Sequence, residues 1–423
     1  MNIRFKKYIK FFFAIIILFN SKNTSILNAQ GFRGYYQYPD IHDNTIVFTS
    51  EGDIWKVSVN GGLAQRLTTH PEEERYANIS PDGKTLAYSA SYEGPTEIYT
   101  MPINGGITTR WTYESETSSV TNWSPDNKII YQTQAYNKLP DEQLITIDLK
   151  TKIKSVVPLY QASEGTQNEK GDWIFIRPAD HGDAAKRYIG GTARQIWKFD
   201  GKNEAVKLTN DYDGESHKPM WYDGRVFFIS DRDGIMNIWS MDSDGNNLEQ
   251  HTKHEEYDVR YANIHDGKIV YQHAADIWLL DVSTGSYNKI NISLASDLDQ
   301  LREKWDENPS RYITSVSSDP NGEKIVVTAR GRVFVVPVKN GRTISFTENK
   351  GVRYRDAIFS HDGKEIITLS DESGEFEFIK LNSTGSDNQT KITKNGKTLR
   401  YQGIPSPDGK WIAYDDLESN MYI

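Results

Sequence analysis

The sequence has no cysteine. Disulfides, thiolate zinc sites and a cysteine nucleophile are therefore excluded, and the fold rests on packing alone. Long apolar stretches with a 3.6-residue period are almost absent, which excludes a helical bundle and favours short strands. The longest unbroken apolar run, Phe11 to Phe19, falls well below the roughly 20 residues that span a bilayer. No Gly-x-Ser-x-Gly elbow and no phosphate-cradling glycine loop occur. The nine histidines are dispersed with no paired metal-ligand spacing, so no metal ligands, no cofactor site and no catalytic residues are read from the chain.

What is present is glycine, 31 residues of it, and 12% aromatic residues in a chain of 423, long enough for two domains. The start is distinct. "MNIRFKKYIK" is basic, the Phe11–Phe19 run follows, and Ala29 offers a small residue for cleavage, so residues 1–29 read as a secretory signal and the protein as exported to the periplasm or medium. Removing Arg4, Lys6, Lys7, Lys10 and Lys22 takes the formal charge from −9 to about −14, which opposes a phosphate backbone and excludes nucleic acid as partner.

One turn is written repeatedly: "SPDGK" at Ser80 and Ser406, "SPDNK" at Ser124, and "HDGK" at His265 and His361. Proline pre-sets the first corner and glycine takes a positive φ, so the motif joins two strands. An apolar–aromatic pair recurs at Trp55, Tyr99, Trp197, Trp239, Trp278, Phe334, Phe378 and Tyr422. Most intervals are about 40 to 45 residues, the length of a four-stranded propeller blade. In "RYANISPDGKTLAYSASYEGPTEIYTMPINGGITTRWT" the strands are "YANI", "TLAYSA", "EIYTMPI" and "TTRWT", with "NGG" as the last hairpin.

The expected fold is all-β: a six-bladed β-propeller over residues 30–292, a helical linker over 293–312, and the first two to three blades of a second propeller over 313–423. The linker is expected because Leu294, Leu298, Leu301 and Trp305 form an apolar stripe that Pro309 ends. Blades one and six each supply four strands of their own, so neither end needs to lend one, and ring closure is expected to rest on side-chain packing. The last blade lacks a fourth strand, from which the chain is expected to be the amino-terminal part of a longer protein. The acidic runs "PEEERY" at Pro71 and "HEEYD" at His254 read as solvated loops rather than calcium sites.

"GYYQYPDIHDNTIVFTSEGDIWKV" at Gly34, "KRYIGGTARQIW" at Lys186, "FFISDRDGIMNIWSMD" at Phe227, "YDVRYANIHDGKIVYQHAADIWLLD" at Tyr257 and "SDESGEFEF" at Ser370 resemble the amino-terminal part of tricorn-type serine peptidases. The resemblance covers nearly all of residues 32–423. It implies a six-bladed and a seven-bladed propeller ahead of a PDZ domain and a serine–histidine catalytic core, with peptides or unfolded polypeptide as partners and room for a homo-oligomer. The propellers would guide or filter peptides, and the catalytic residues would lie beyond this chain. A TolB-like binding propeller, or the propeller of a dipeptidyl-peptidase-like enzyme, stays open as an alternative. The family is best associated with the cytoplasm, which the basic and apolar start puts in doubt here.

One insertion, "ADHGDAAKRYIGGTA" from Ala179, adds positive charge at a blade-four loop. Lys186, Arg187 and Arg194 are candidate peptide-channel residues; Lys186 and Arg187 are the cations that would receive a peptide's terminal carboxylate, Arg187 by bidentate hydrogen bonds. The alternative is that an arginine here simply pairs with a neighbouring carboxylate.

Overall fold

The computed structural model describes residues 33–178, 186–299, 305–306, 308–346, 351–385 and 389–423. The signal segment expected over residues 1–29 lies outside them, as does 179–185 of the insertion. Contacts divide the chain into two units, Met1–Arg302 and Glu303–Ile423.

The repeated turn forms as its residues require. In the first copy Gly83, at φ 70°, donates to the Ser80 carbonyl (2.8 Å), and Ser80 Oγ donates to Asp82 Oδ1 (2.6 Å). Asp82 also accepts the Lys84 amide (3.1 Å), and together these bonds hold its carboxyl below the usual range. Ser360 and Ser406 repeat the arrangement with Asp362 and Asp408.

Each turn joins the first two strands of an antiparallel sheet. Among the described residues the first unit holds six sheets, each with four strands in chain order, and the first of them gains a fifth strand from the end of the unit. Their inner strands are Gln37–His42, Glu74–Ile79, Ser118–Trp123, Ser163–Gln167, Ser216–Tyr222 and Val259–His265. Each inner strand lies beside the next, and the sixth lies beside the first, so the sheets are blades of a closed ring. A separate apolar cluster fills each seam; between blades one and six it includes Tyr36, Phe48, Trp55, Val270, Ile277 and Leu294. Burial of these faces is what holds sheet against sheet.

Closure departs from the expectation. Ile292, read from sequence as the end of blade six's fourth strand, and Ser293 and Leu294, read as the start of the linker, instead form one strand that pairs in parallel with Gly62–Ala64 of blade one. The amide of Gly62 donates to the Asn291 carbonyl (2.9 Å), and the Tyr36 hydroxyl donates to the Ile292 carbonyl (2.9 Å). The chain after blade six therefore does lend a strand, because Gly61 lets the two backbones approach. A Cβ at Gly61, where φ is 77°, would stand 2.4 Å from Asn291 O.

The same strand displaces the start of the expected linker helix. Leu294 is 1% exposed in the seam, a better burial than one stripe position on a short helix, and Leu298 has φ 53°. Pro309–Tyr312 forms a 3-10 turn, and residues 300–304 and 307 lie outside the described part. In the second unit, Ile313–Ser345 and Tyr354–Lys391 form four-stranded sheets and Ile404–Tyr422 a three-stranded one.

"PEEERY" is only partly a solvated loop. Glu74, its last glutamate, is 0% exposed at the seam of blades one and two. Its Oε1 accepts the Tyr92 hydroxyl (2.6 Å) and its Oε2 the Thr68 hydroxyl (2.9 Å). Burial pushes its pKa up to about 7. The folded state thus binds this proton more tightly than the unfolded state, so the stabilisation is complete below the ordinary glutamate range and is lost as pH rises through about 7. Glu74→Gln is expected to flatten thermal stability between pH 5 and 8, and at pH 8 to exceed the wild type by about 2–3 kcal/mol. An unchanged pH slope would refute the assignment.

Candidate functional site: the channel and mouth of the first propeller

The ring places its inner strands around a central channel, and these strands share a distortion. Five carry a β-bulge centred on a residue in the left-handed region: Tyr38 (φ 52°), Tyr76 (54°), Glu164 (49°), Lys218 (52°) and Tyr261 (47°). Non-glycine residues adopt this conformation at a cost, and bulges re-aim side chains. Here they bring tyrosines of three blades together. The Tyr38 ring lies 4.6 Å from that of Tyr76 and 4.4 Å from that of Tyr261. Burial raises the Tyr38 phenol above its ordinary pKa. Elsewhere in the ring, Glu164 accepts the Lys218 amide (2.6 Å) and stands 3.6 Å from His217 Nδ1.

At the end bearing the first-to-second-strand turns, residues of five blades surround a cavity of about 830 Å³. Pro81, Trp123, Lys170, Trp221, Tyr222 and His265 represent those blades in its wall. Trp221 Nε1 is buried and, among the described residues, finds no hydrogen-bond partner. A concave, mostly polar wall carrying three aromatic rings and two prolines suits an extended peptide, whose backbone supplies donors and acceptors.

The opposite end of blade four holds a second cavity of about 720 Å³, lined by Arg177, Trp197, Lys207 and the loop Ile189–Ala193. Two of the three candidate cations are paired with carboxylates. Lys186 donates to Asp258 (2.6 Å), and Arg194, 6% exposed, donates through Nε to Glu215 Oε2 (2.6 Å). Arg187 is exposed on the loop with φ 57°.

Arg177 is the cation that sequence reasoning missed. Its guanidinium stacks 5.0 Å from the Trp197 ring centroid, its Nε donates to the Gln161 carbonyl (2.9 Å), and among the described residues no carboxylate pairs with it. Burial lowers its pKa. The signal was available: an arginine ending a blade's second strand, two residues beyond Phe175, which pairs with the repeated tryptophan of the third.

Ser240 Oγ lies 2.8 Å from His251 Nε2, the spacing of a nucleophile and its base. It is nevertheless 0% exposed, and its oxygen accepts two hydrogen bonds from Arg225 (3.1 and 2.9 Å). No substrate carbonyl reaches it, so this pair packs blade five rather than attacking a peptide.

Ring closure of four-stranded sheets around a channel defines the protein as a β-propeller. Residues 33–286 match the tricorn protease N-terminal beta propeller domain, and the chain belongs to that family. It is 28% identical over 413 residues to a tricorn protease homolog of Saccharolobus solfataricus, covering 92% of this chain and 36% of that protein. A tricorn protease homolog of Streptomyces coelicolor is also 28% identical, over 92% of this chain and 37% of its own length. The crystal structure of the tricorn protease superposes with a TM-score of 0.64 at 20% identity, covering 92% of this chain and 44% of that one. The chain thus spans little more than a third of these curated relatives.

Proposed function

We propose that this chain is the propeller region of an exported tricorn-like serine peptidase, and that its first propeller binds peptides at the turn-side mouth and steers them to or from a catalytic core elsewhere in the protein. Family membership supports the peptidase context, and the basic, apolar start supports export. The observation that carries the steering role is the mouth cavity itself, walled by Trp123, Trp221 and Tyr222 from rigid blades. At the opposite end Arg177, stacked and without a carboxylate partner among the described residues, is the cation poised for a peptide's carboxy terminus.

The test is fluorescence titration of the purified chain with unstructured peptides carrying free or amidated carboxy termini. Trp221→Ala is expected to weaken binding of both by at least about fivefold, as truncation of a contributing interface aromatic does. Arg177→Met is expected to remove only the preference for the free carboxylate. Affinities unchanged in Trp221→Ala, with its fold confirmed by unfolding, would sink the mouth as the binding site.

A further inference from the structure

Blades one and six also meet at their turns, and three metal-ligating side chains come together there. His42 and Asp43 stand on the blade-one turn and His265 on the blade-six turn. The imidazoles stack with centroids 4.1 Å apart and 30° between their planes. Asp43 spans both: one carboxylate oxygen is 3.5 Å from His42 Nδ1 and the other 3.3 Å from His265 Nε2. All the donor atoms lie within 4.8 Å of one another.

The tautomer of His42 is set by the backbone. Its Nε2 lies 3.0 Å from the Pro81 carbonyl oxygen, which only accepts, so Nε2 carries the hydrogen. In the neutral ring Nδ1 is then a lone pair facing a carboxylate oxygen, and two electron-rich atoms so placed call for a cation between them. A carbonyl that fixes the far nitrogen is also the usual outer-shell support of a ligating histidine. The turn glycine keeps room for the ring, since a Cβ at Gly83 would stand 2.9 Å from His42 Cε1.

We propose that His42, Asp43 and His265 bind one divalent transition-metal ion of the zinc class across the seam that closes the first propeller. Two imidazole nitrogens and one carboxylate oxygen favour zinc, cobalt or nickel over calcium or magnesium. Bonds of about 2.0–2.2 Å keep donors on one ion within roughly 4.2 Å of each other. Asp43, whose side chain is 76% exposed, has room to rotate one oxygen toward the ion, small shifts of the three side chains bring their donors within that range, and water completes the shell. The ion ties the first and last blades at the turn end, and because Pro81 and His265 line the mouth cavity it sets an open cationic point on its rim. The other stacked pair, His254 and His273 at 3.8 Å, has no such carboxylate among the described residues; His254 Nε2 is 3.0 Å from the Tyr271 hydroxyl.

The test uses the full chain without a histidine tag, stripped by chelator and titrated with Zn²⁺, and with Co²⁺ for its visible absorption. One equivalent is expected to bind, to raise the thermal midpoint, and to resist competition by Mg²⁺ and Ca²⁺. Both Asp43→Ala and His265→Ala are expected to weaken binding by at least about tenfold. Asp43 is exposed, so its variant keeps the apo fold, as the metal-free midpoint verifies. Absence of saturable binding overturns the proposal. So does an affinity unchanged in both variants, the result expected if His254 and His273 took the ion.

Discussion

Replacing Leu294 with alanine is expected to destabilise the first propeller by about 3–5 kcal/mol, the upper range for truncating a buried leucine. The side chain is 1% exposed, packs in the cluster that includes Tyr36, Phe48 and Trp55, and comes so close to Gly34 that a Cβ there would stand 2.6 Å from its methyl. Its strand makes only three parallel pairings with blade one, so the ladder alone is a weak clasp and the buried side chain carries most of the closure. Gly61→Ala attacks the same clasp from the other side without touching the core, because the new Cβ would meet Asn291 O at 2.4 Å. Since both substitutions release one contact, the double variant should cost less than the sum of the singles. Chemical unfolding of the four proteins measures this. A Leu294→Ala cost below about 1 kcal/mol, or strict additivity, would show that the ring closes without the clasp.

The blades were legible in the sequence because turn chemistry is local. Ser80, Asp82 and Gly83 satisfy one another within five residues, so the motif announces its own structure wherever it occurs. The clasp was not legible. "NKINI" reads as a strand that runs into a linker at Ser293, and nothing in it tells that Asn291 turns to a hairpin glycine more than two hundred residues earlier. Ring closure hides sites in the same way. His42 and His265 have no ligand spacing in the chain and become neighbours only because the sixth inner strand returns beside the first. The bulges fall between these cases: "YQYPD", "ERYAN" and "VRYAN" share a tyrosine at the bulge, but the pattern marks a channel-facing residue only once a left-handed φ is known there.

Arg194→Ala is expected to cost about 3–5 kcal/mol of stability, as breaking a buried ion pair does, and to leave peptide affinity unchanged. The sequence offers Arg194 with Lys186 and Arg187 as a peptide-channel cation, yet a guanidinium 6% exposed is not available to a ligand. Its Nε donates to Glu215 Oε2 at 2.6 Å, and its backbone amide reaches the same oxygen at 3.3 Å. Glu215 in turn is fixed through its own amide, which donates to Asp231 Oδ1 (3.0 Å), so the pair stitches blade four to blade five. Alanine removes the compensating cation and leaves the carboxylate in a site that excludes water. Joint replacement of Arg194 and Glu215 by methionine and leucine should recover much of the loss, because the apolar pair carries no desolvation cost. Arg177→Met, by contrast, removes a cation with no carboxylate partner among the described residues, and its main effect is expected on peptide binding rather than on folding. Unfolding and peptide titration of the same proteins separate the two roles. An Arg194→Ala protein that unfolds like the wild type but loses the preference for free carboxy termini would move the carboxylate site from Arg177 to Arg194.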